Sequence, residues 1–349
     1  MKKIFIAVLA LAVAVACSNV ETVSLNREAI VFGDAFVNKQ TRIIDPTLDA
    51  NDLKAEDNGF GVYGYVTGNA TAPIFTNERV YWDGAWKHDN TQYWIEGANY
   101  NFAAIAPYSG TYNGVEVNKY LWTINNELST SEKTVLNVYN VANPGQKDIL
   151  YASAEVNNVA PGYGDAVSLN FRHILSKVKF TFTNNYDAAN TKIAVRNVVI
   201  WAPMNGVVEL TDDSTVWSRA STTATGRYQF GVVGTDESTA AKIPYPQSME
   251  SCKELLFIPT SSAGSYQVDF LIDLYVVNGN TETLVETFKH DISANHHLRI
   301  QFQPGYSYNI GVTIDNTNID PAGAQKPIEF DIEELSTWEW NTSEENQTL

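Results

Sequence analysis

The chain has 349 residues, with 23 Lys+Arg against 40 Asp+Glu, and so a formal net charge of −17. A hydrophobic fraction of 44% excludes a largely disordered chain, and the acidic balance repels phosphate backbones, which excludes nucleic acid as a partner. Two cysteines exclude a disulfide framework or a thiolate metal centre, and the length suits about two domains.

Residues 1–16 read as an export signal. Lys2 and Lys3 give a positive start, and an apolar run follows from Ile4 to Ala16. That run is shorter than the roughly 20 residues a membrane-spanning helix needs. Ala14-Val15-Ala16-Cys17 places small residues ahead of a cysteine and resembles a bacterial lipobox. The expectation is cleavage before Cys17 and acylation of its thiol, which anchors the protein to a membrane surface. Cys252 then has no intramolecular partner.

Beyond the signal, no convincing amphipathic helix appears. Any helix should be short, with Ser129-Thr130-Ser131-Glu132 as a candidate cap or turn. The first candidate strand is Ala29–Val37, and the basic Arg42 follows it. Period-2 alternation then recurs at Phe60–Val66, Val178–Phe182, Val268–Val276 and Tyr306–Ile314. Turn clusters separate these runs, and Asn278-Gly279 between two apolar strands predicts a hairpin. Many short strands with such turn spacing predict an all-β chain of sandwich type.

The stretch from Val167 to Thr183 is too long for one strand. Its inward phase runs 167, 169, 171, then shifts to 178, 180, 182, with the break at Arg172–Lys177. Two strands in tandem are predicted here, with a domain boundary near residue 175. The expected divisions are 1–16 for the signal, 17–175 for an N-terminal sandwich and 176–349 for a C-terminal one.

Residues able to carry chemistry are few. Trp82, Trp86, Tyr93 and Trp94 are the candidate ligand platform, since aromatic faces stack on sugars; the alternative is a hairpin packed into a sandwich core. The five histidines show no metal-ligand spacing, so no metal is expected. His173 is expected to be structural, with a ring nitrogen bonded to backbone or carboxylate. Asp315–Asp320 is a loose calcium-loop candidate. Acidic pairs such as Asp212-Asp213 read as solvated loop faces. Nothing pins two carboxylates across a cleft, and no phosphate loop, dinucleotide fingerprint or nucleophile elbow occurs. Neither catalysis nor a cofactor is expected.

Several stretches, in order, resemble one family. Val80-Tyr81-Trp82-Asp83-Gly84-Ala85-Trp86 is followed by Gly97-Ala98-Asn99-Tyr100-Asn101-Phe102 and Pro107. Asp148-Ile149-Leu150-Tyr151-Ala152 is followed by Leu169-Asn170-Phe171-Arg172-His173-Ile174-Leu175-Ser176-Lys177. Pro304-Gly305-Tyr306-Ser307-Tyr308 is followed by a late Trp338. Together with the lipobox these resemble the fimbrillin-like (Mfa-like) lipoproteins of Bacteroidetes, the subunits of type V pili. The resemblance implies two transthyretin-like β-sandwich domains in tandem and export to the outer membrane and cell surface. It implies removal of an N-terminal strand, here within 18–42, by a cut after a basic residue, here Arg42. The emptied groove then accepts a strand from another pilus subunit. The polar tail Asn341–Leu349 departs from a stalk subunit, so tip, anchor and accessory roles stand open beside that of a stalk. The alternative is a monomeric surface lipoprotein that holds a glycan or a host protein on the aromatic platform.

Overall fold

Alternating apolar strands need partners for their main-chain groups, and the computed structural model shows how these are found. It describes residues 27–36, 50–55, 59–67, 72–118, 121–124, 134–139, 141–142, 145–188, 190–219, 225–251, 253–290, 298–319 and 330–337. Cys17, Arg42, Cys252, His296, His297, Trp338, the Ser129–Glu132 turn candidate and the tail 341–349 lie outside these residues. The chain opens with β1 (Phe32–Phe36), the four-residue α1 (Ala50–Leu53), β2 (Phe60–Thr67), β3 (Ala72–Trp82), β4 (Trp86–Lys87) and β5 (Asn99–Ala106). It continues through β6 (Gly110–Tyr112), β7 (Val115–Val117), β8 (Trp122–Ile124), β9 (Thr134–Val138), β10 (Leu150–Val156), β11 (Val167–Asn170) and β12 (Arg172–His173).

Then come β13 (Ser176–Asn185), β14 (Thr191–Pro203), β15 (Gly206–Leu210), β16 (Thr215–Arg219), β17 (Thr225–Gly231), β18 (Lys242–Pro244), β19 (Ser248–Glu250) and β20 (Leu255–Phe257). The last strands are β21 (Gly264–Asn278), β22 (Thr281–His290), β23 (Leu298–Ile300), β24 (Tyr306–Asp315) and β25 (Phe330–Thr337). The fold is all-β, as the alternation predicts. The predicted hairpin is β21–β22, with Asn278 opposite Thr281. Its two turn residues are Gly279 and Asn280, and Gly279 takes φ +63°, a conformation that costs glycine little.

One six-stranded sheet, ordered β12-β10-β5-β2-β3-β4, is the largest of the N-terminal half, beside the two-stranded sheets β1-β11 and β6-β7. A second, β17-β14-β21-β22, carries β18 and β23 at its ends, and it faces a sheet ordered β19-β13-β24-β25. In the latter, β13 and β24 run parallel; β13 is buried on both faces over Ser176–Phe180, while β24 buries only alternate residues. A four-stranded sheet, β16-β15-β9-β8, joins strands from the two halves of the sequence. Leu136 on β9 lies opposite Val208 on β15.

Two apolar clusters result. One gathers Phe60, Val62, Phe75, Phe102, Ala104 and Leu150 around the outer face of the first six-stranded sheet. The other holds Ala103, Ile105 and Tyr151 together with Leu136, Val138, Phe180 and Phe270. Successive residues of β5 thus enter different clusters. This is why Phe102-Ala103-Ala104-Ile105-Ala106 reads as a continuous apolar run, the pattern of a strand buried on both faces.

The phase break between Phe171 and Val178 is a joint between sheets. β12 ends the first six-stranded sheet and β13 begins the parallel pair three residues later. Each polar residue of the joint has a task. Arg172 donates to the carbonyl oxygens of Thr211, Asp212 and Ser214, which closes that loop onto the joint. His173 Nδ1 bonds the carboxylate of the fully buried Asp148, and Asp148 also accepts from the Ile149 amide. Trp217 Nε1 donates to Ile174 O, and Ser176 Oγ to Gln303 O. Lys177 sits 3.3 Å from Glu254. The structural role expected of His173 is the one observed.

Candidate functional site: the seat of the N-terminal strand

The segment Glu28–Phe36 lies in a slot between the 86–94 region and β11. On one side Ile30 donates its amide to Gln92 O at 2.8 Å, and Trp94 donates to Glu28 O at 3.0 Å. Ala29 forms an antiparallel bridge with Tyr93. On the other side Val167 donates to Val31 O at 2.8 Å. From Phe32 onward the segment pairs in parallel with β11, reaching Phe36 opposite Asn170. The register shifts between Phe32 and Ala35, so the pairing is irregular there.

Alternation decides which side chains enter. Ile30 is 0% and Phe32 5% exposed, while Val31 between them is 42% exposed. Phe32 enters an aromatic socket. Its ring lies 5.7 Å from Phe75, 6.0 Å from Phe102 and 6.4 Å from Phe60, the last two edge-to-face. Each such buried side chain contributes about 1.5–3 kcal/mol. His88 closes the socket. It stacks edge-on to Phe32 and Phe75, and its Nε2–H donates to Ile30 O at 3.0 Å. The carbonyl is only an acceptor, which fixes that nitrogen as the donor.

Gly164 marks a close approach of the slot wall. A Cβ there would sit 3.1 Å from Glu28 Cγ. The slot therefore has two properties of a strand-accepting groove: main-chain partners along both edges, and pockets for alternate side chains.

The candidate platform does not form one surface. Trp86 is 7% exposed and packs on Phe60 at 5.0 Å. Trp94 is 3% exposed and packs edge-on against Tyr100 at 4.8 Å and Tyr163 at 5.0 Å. Trp82 is half-buried, edge-on to Trp86 at 5.3 Å, with the Lys54 ammonium 4.2 Å above its ring. Tyr93 is exposed and makes no ring contact with the other three. Trp86 and Trp94 are core residues that build the walls of the slot region. Burial of their rings removes them from any ligand-facing surface.

The calcium-loop candidate is a self-contained turn over its described part. Asp315 Oδ1 accepts from the Thr317 amide and hydroxyl, both at 2.7 Å. Among the described residues, no group of three or more His, Cys, Asp or Glu is placed to hold a metal ion. No helix among them is long and apolar enough to cross a membrane. Asp212 and Asp213 are exposed, as expected of loop faces.

Sequence reading located the N-terminal strand but not its partners. The slot is assembled from β11 and the 86–94 region, each far away in the chain. No local pattern announces a parallel pairing between Phe32 and Val167.

Comparison with known proteins decides the family. A profile of the fimbrillin-like family matches residues 41–327, most of the chain. The chain belongs to the fimbrillin-like family. Among solved structures, a fimbrial protein from Bacteroides vulgatus shares 16% identity with this fimbrillin-like chain. The match covers 88% of this chain and 100% of that one, with a TM-score of 0.59, which shows a common fold. A cell adhesion protein from Bacteroides ovatus, described as putative, shares 14% identity over 91% of this chain and 99% of its own, with a TM-score of 0.46. No curated protein matches the chain.

Proposed function

We propose that this fimbrillin-like chain is a structural subunit of a cell-surface pilus and assembles by strand exchange at the Ile30–Phe36 slot. It is exported as a lipoprotein, acylated at Cys17 and carried to the outer membrane. The chain folds as two transthyretin-like sandwiches meeting near residue 175. A cut after Arg42 frees the segment ending at that residue, and a strand of another subunit takes its place. The role is structural, that of a stalk, tip, anchor or accessory subunit, contributing to adhesion rather than catalysis. The observation that carries this reading is the seating of Ile30 and Phe32 as alternate knobs in the core. The segment is bonded through its main chain along both edges, and the proposed cut falls C-terminal to it.

The test is Arg42→Ala. The unmodified protein, treated with a protease that cuts after arginine, should lose the segment up to residue 42 and form filaments visible by electron microscopy. The variant should keep the segment and stay unassembled. Filaments from the variant, with the segment removed normally, would sink the processing site. A radiolabelled fatty acid incorporated by the wild type but not by Cys17→Ser checks the anchor separately.

A further inference from the structure

A second depression, remote in sequence from the strand slot, has a lining of a different chemistry. It lies where the end of β14, the second half of β16 and the start of β17 meet the segment Ile258–Gln267, and it encloses about 470 Å³. That volume falls in the range of ligand sites, about 300–1,000 Å³. Among the described residues, no Lys, Arg, His, Asp or Glu lines it. The walls are two indoles, Trp201 and Trp217, and a run of hydroxyl and amide groups.

The polar groups are held in fixed roles. Trp201 Nε1 donates to Asp269 Oδ2 at 2.9 Å, and Gln267 Nε2 donates to Asp269 Oδ1 at 3.0 Å. A carboxylate only accepts, so the Gln267 nitrogen must face Asp269, and its carbonyl oxygen is the atom left to accept from a ligand. One outer carboxylate thus pins both the half-buried Trp201 ring and the Gln267 amide. Trp217 is buried, and its indole N–H is spent on Ile174 O at 2.8 Å. It serves as an apolar wall. Thr260 Oγ1 is shielded from solvent, and so from a ligand in the cleft.

These features select the ligand class. A charged ligand gains no clear preference from the charges beside Trp201, since Asp269 and Arg227 are opposite in sign. A wholly apolar one would strip water from Ser265 and Gln267 and return nothing. A neutral ligand with C–H groups on one face and hydroxyls around its rim satisfies both walls. We infer that the Trp201–Gln267 cleft is a binding site for a neutral saccharide, whose C–H face stacks on Trp201 and whose hydroxyl donates to the Gln267 carbonyl oxygen.

The test uses the full chain in detergent on an array of neutral, sialylated and sulfated oligosaccharides. Neutral glycans should bind. Trp201→Ala and Gln267→Ala should each weaken that binding by about tenfold or more, while Trp82→Ala binds as the wild type does. Melting curves of the same variants separate binding from folding: the melting temperatures should stay near that of the wild type while affinity falls. Binding of anionic glycans alone, no binding of neutral glycans, or neutral binding insensitive to Trp201→Ala and Gln267→Ala would each overturn the inference. Filament formation is a separate readout, so failure here leaves the strand-exchange reading standing.

Discussion

Phe32 shows how one residue links sequence pattern to proposed assembly. Its place in the alternation of Ala29–Val37 was legible, because period-2 spacing assigns a side chain to a face. Its socket was not legible, because Phe60, Phe75, Phe102 and His88 come from separate stretches. Replacing Phe32 by Ala removes a ring that touches three other phenyl rings. The expected cost is about 3–5 kcal/mol, the range for buried Phe→Ala. Chemical denaturation of the uncleaved chain, followed by tryptophan fluorescence, measures it. A loss below about 1 kcal/mol would mean that the segment contributes little to its own half of the molecule. The same variant should release the segment more readily once it is cut, since the socket no longer grips it.

The joint residues give the complementary lesson. His173 stands in no metal-ligand spacing, which points to a structural role, and it bonds the buried Asp148. That the two halves of the Asp148…His173 motif touch was not readable. Spacing along the chain gives no distance when a strand and a loop intervene. Arg172 was likewise marked only by the phase break around it, and its carbonyl acceptors lie about 40 residues later.

At the scale of elements, the sheet β17-β14-β21-β22 shows how an acidic chain keeps a long exposed strand in order. β22 is the edge of that sheet and is largely exposed, with Leu284 and Val285 half in solvent. Such edges invite unwanted pairing unless charge blunts them. Glu282 accepts from Lys192 Nζ at 2.7 Å and from Lys242 Nζ at 2.5 Å, which ties β22 to β14 and β18. These two lysines, Lys192 first, hold the Glu282 carboxyl well below the ordinary glutamate value, at about 2. A depressed folded-state value means that the stabilisation is fully present above the unfolded value of about 4.3. It is lost as the pH falls from there toward 2. Glu282→Gln should therefore lower the melting temperature at pH 7, and the gap to the wild type should close between pH 5 and 2. A gap that stays constant across that window would mean that the carboxylate is not what joins these strands. The hairpin itself was legible from Asn278-Gly279, but the ionic tie was not, because Lys192 lies 90 residues from its partner.

At the scale of the whole molecule, the proposed pair of sandwiches shares material across residue 175. The sequence pattern around 167–183 reported a change of phase, and the structure has a change of sheet at that point. What the pattern did not report is that β8 and β9, from the first half, belong to the sheet of β15 and β16. Alternation fixes a strand's face but not its neighbour. β9 carries Leu136 and Val138 into the cluster that also holds Val208, Leu210 and Phe180. A fragment of residues 176–349 therefore lacks the partner of β15 along five residue pairs and opens a new unprotected edge. It should melt without a sharp transition and aggregate at concentrations where the full chain stays monomeric. In the full chain, Leu136→Ala should cost about 2–5 kcal/mol, since Leu136 is fully buried. Hydrogen exchange should show the loss of protection in β15 and β16 rather than in β2 and β5, although Leu136 precedes residue 175. A fragment 176–349 that melts cooperatively at the full-chain temperature would show that β9 is dispensable to that core. Protection lost in β2 and β5 instead would assign β9 to the N-terminal half, against its observed pairing.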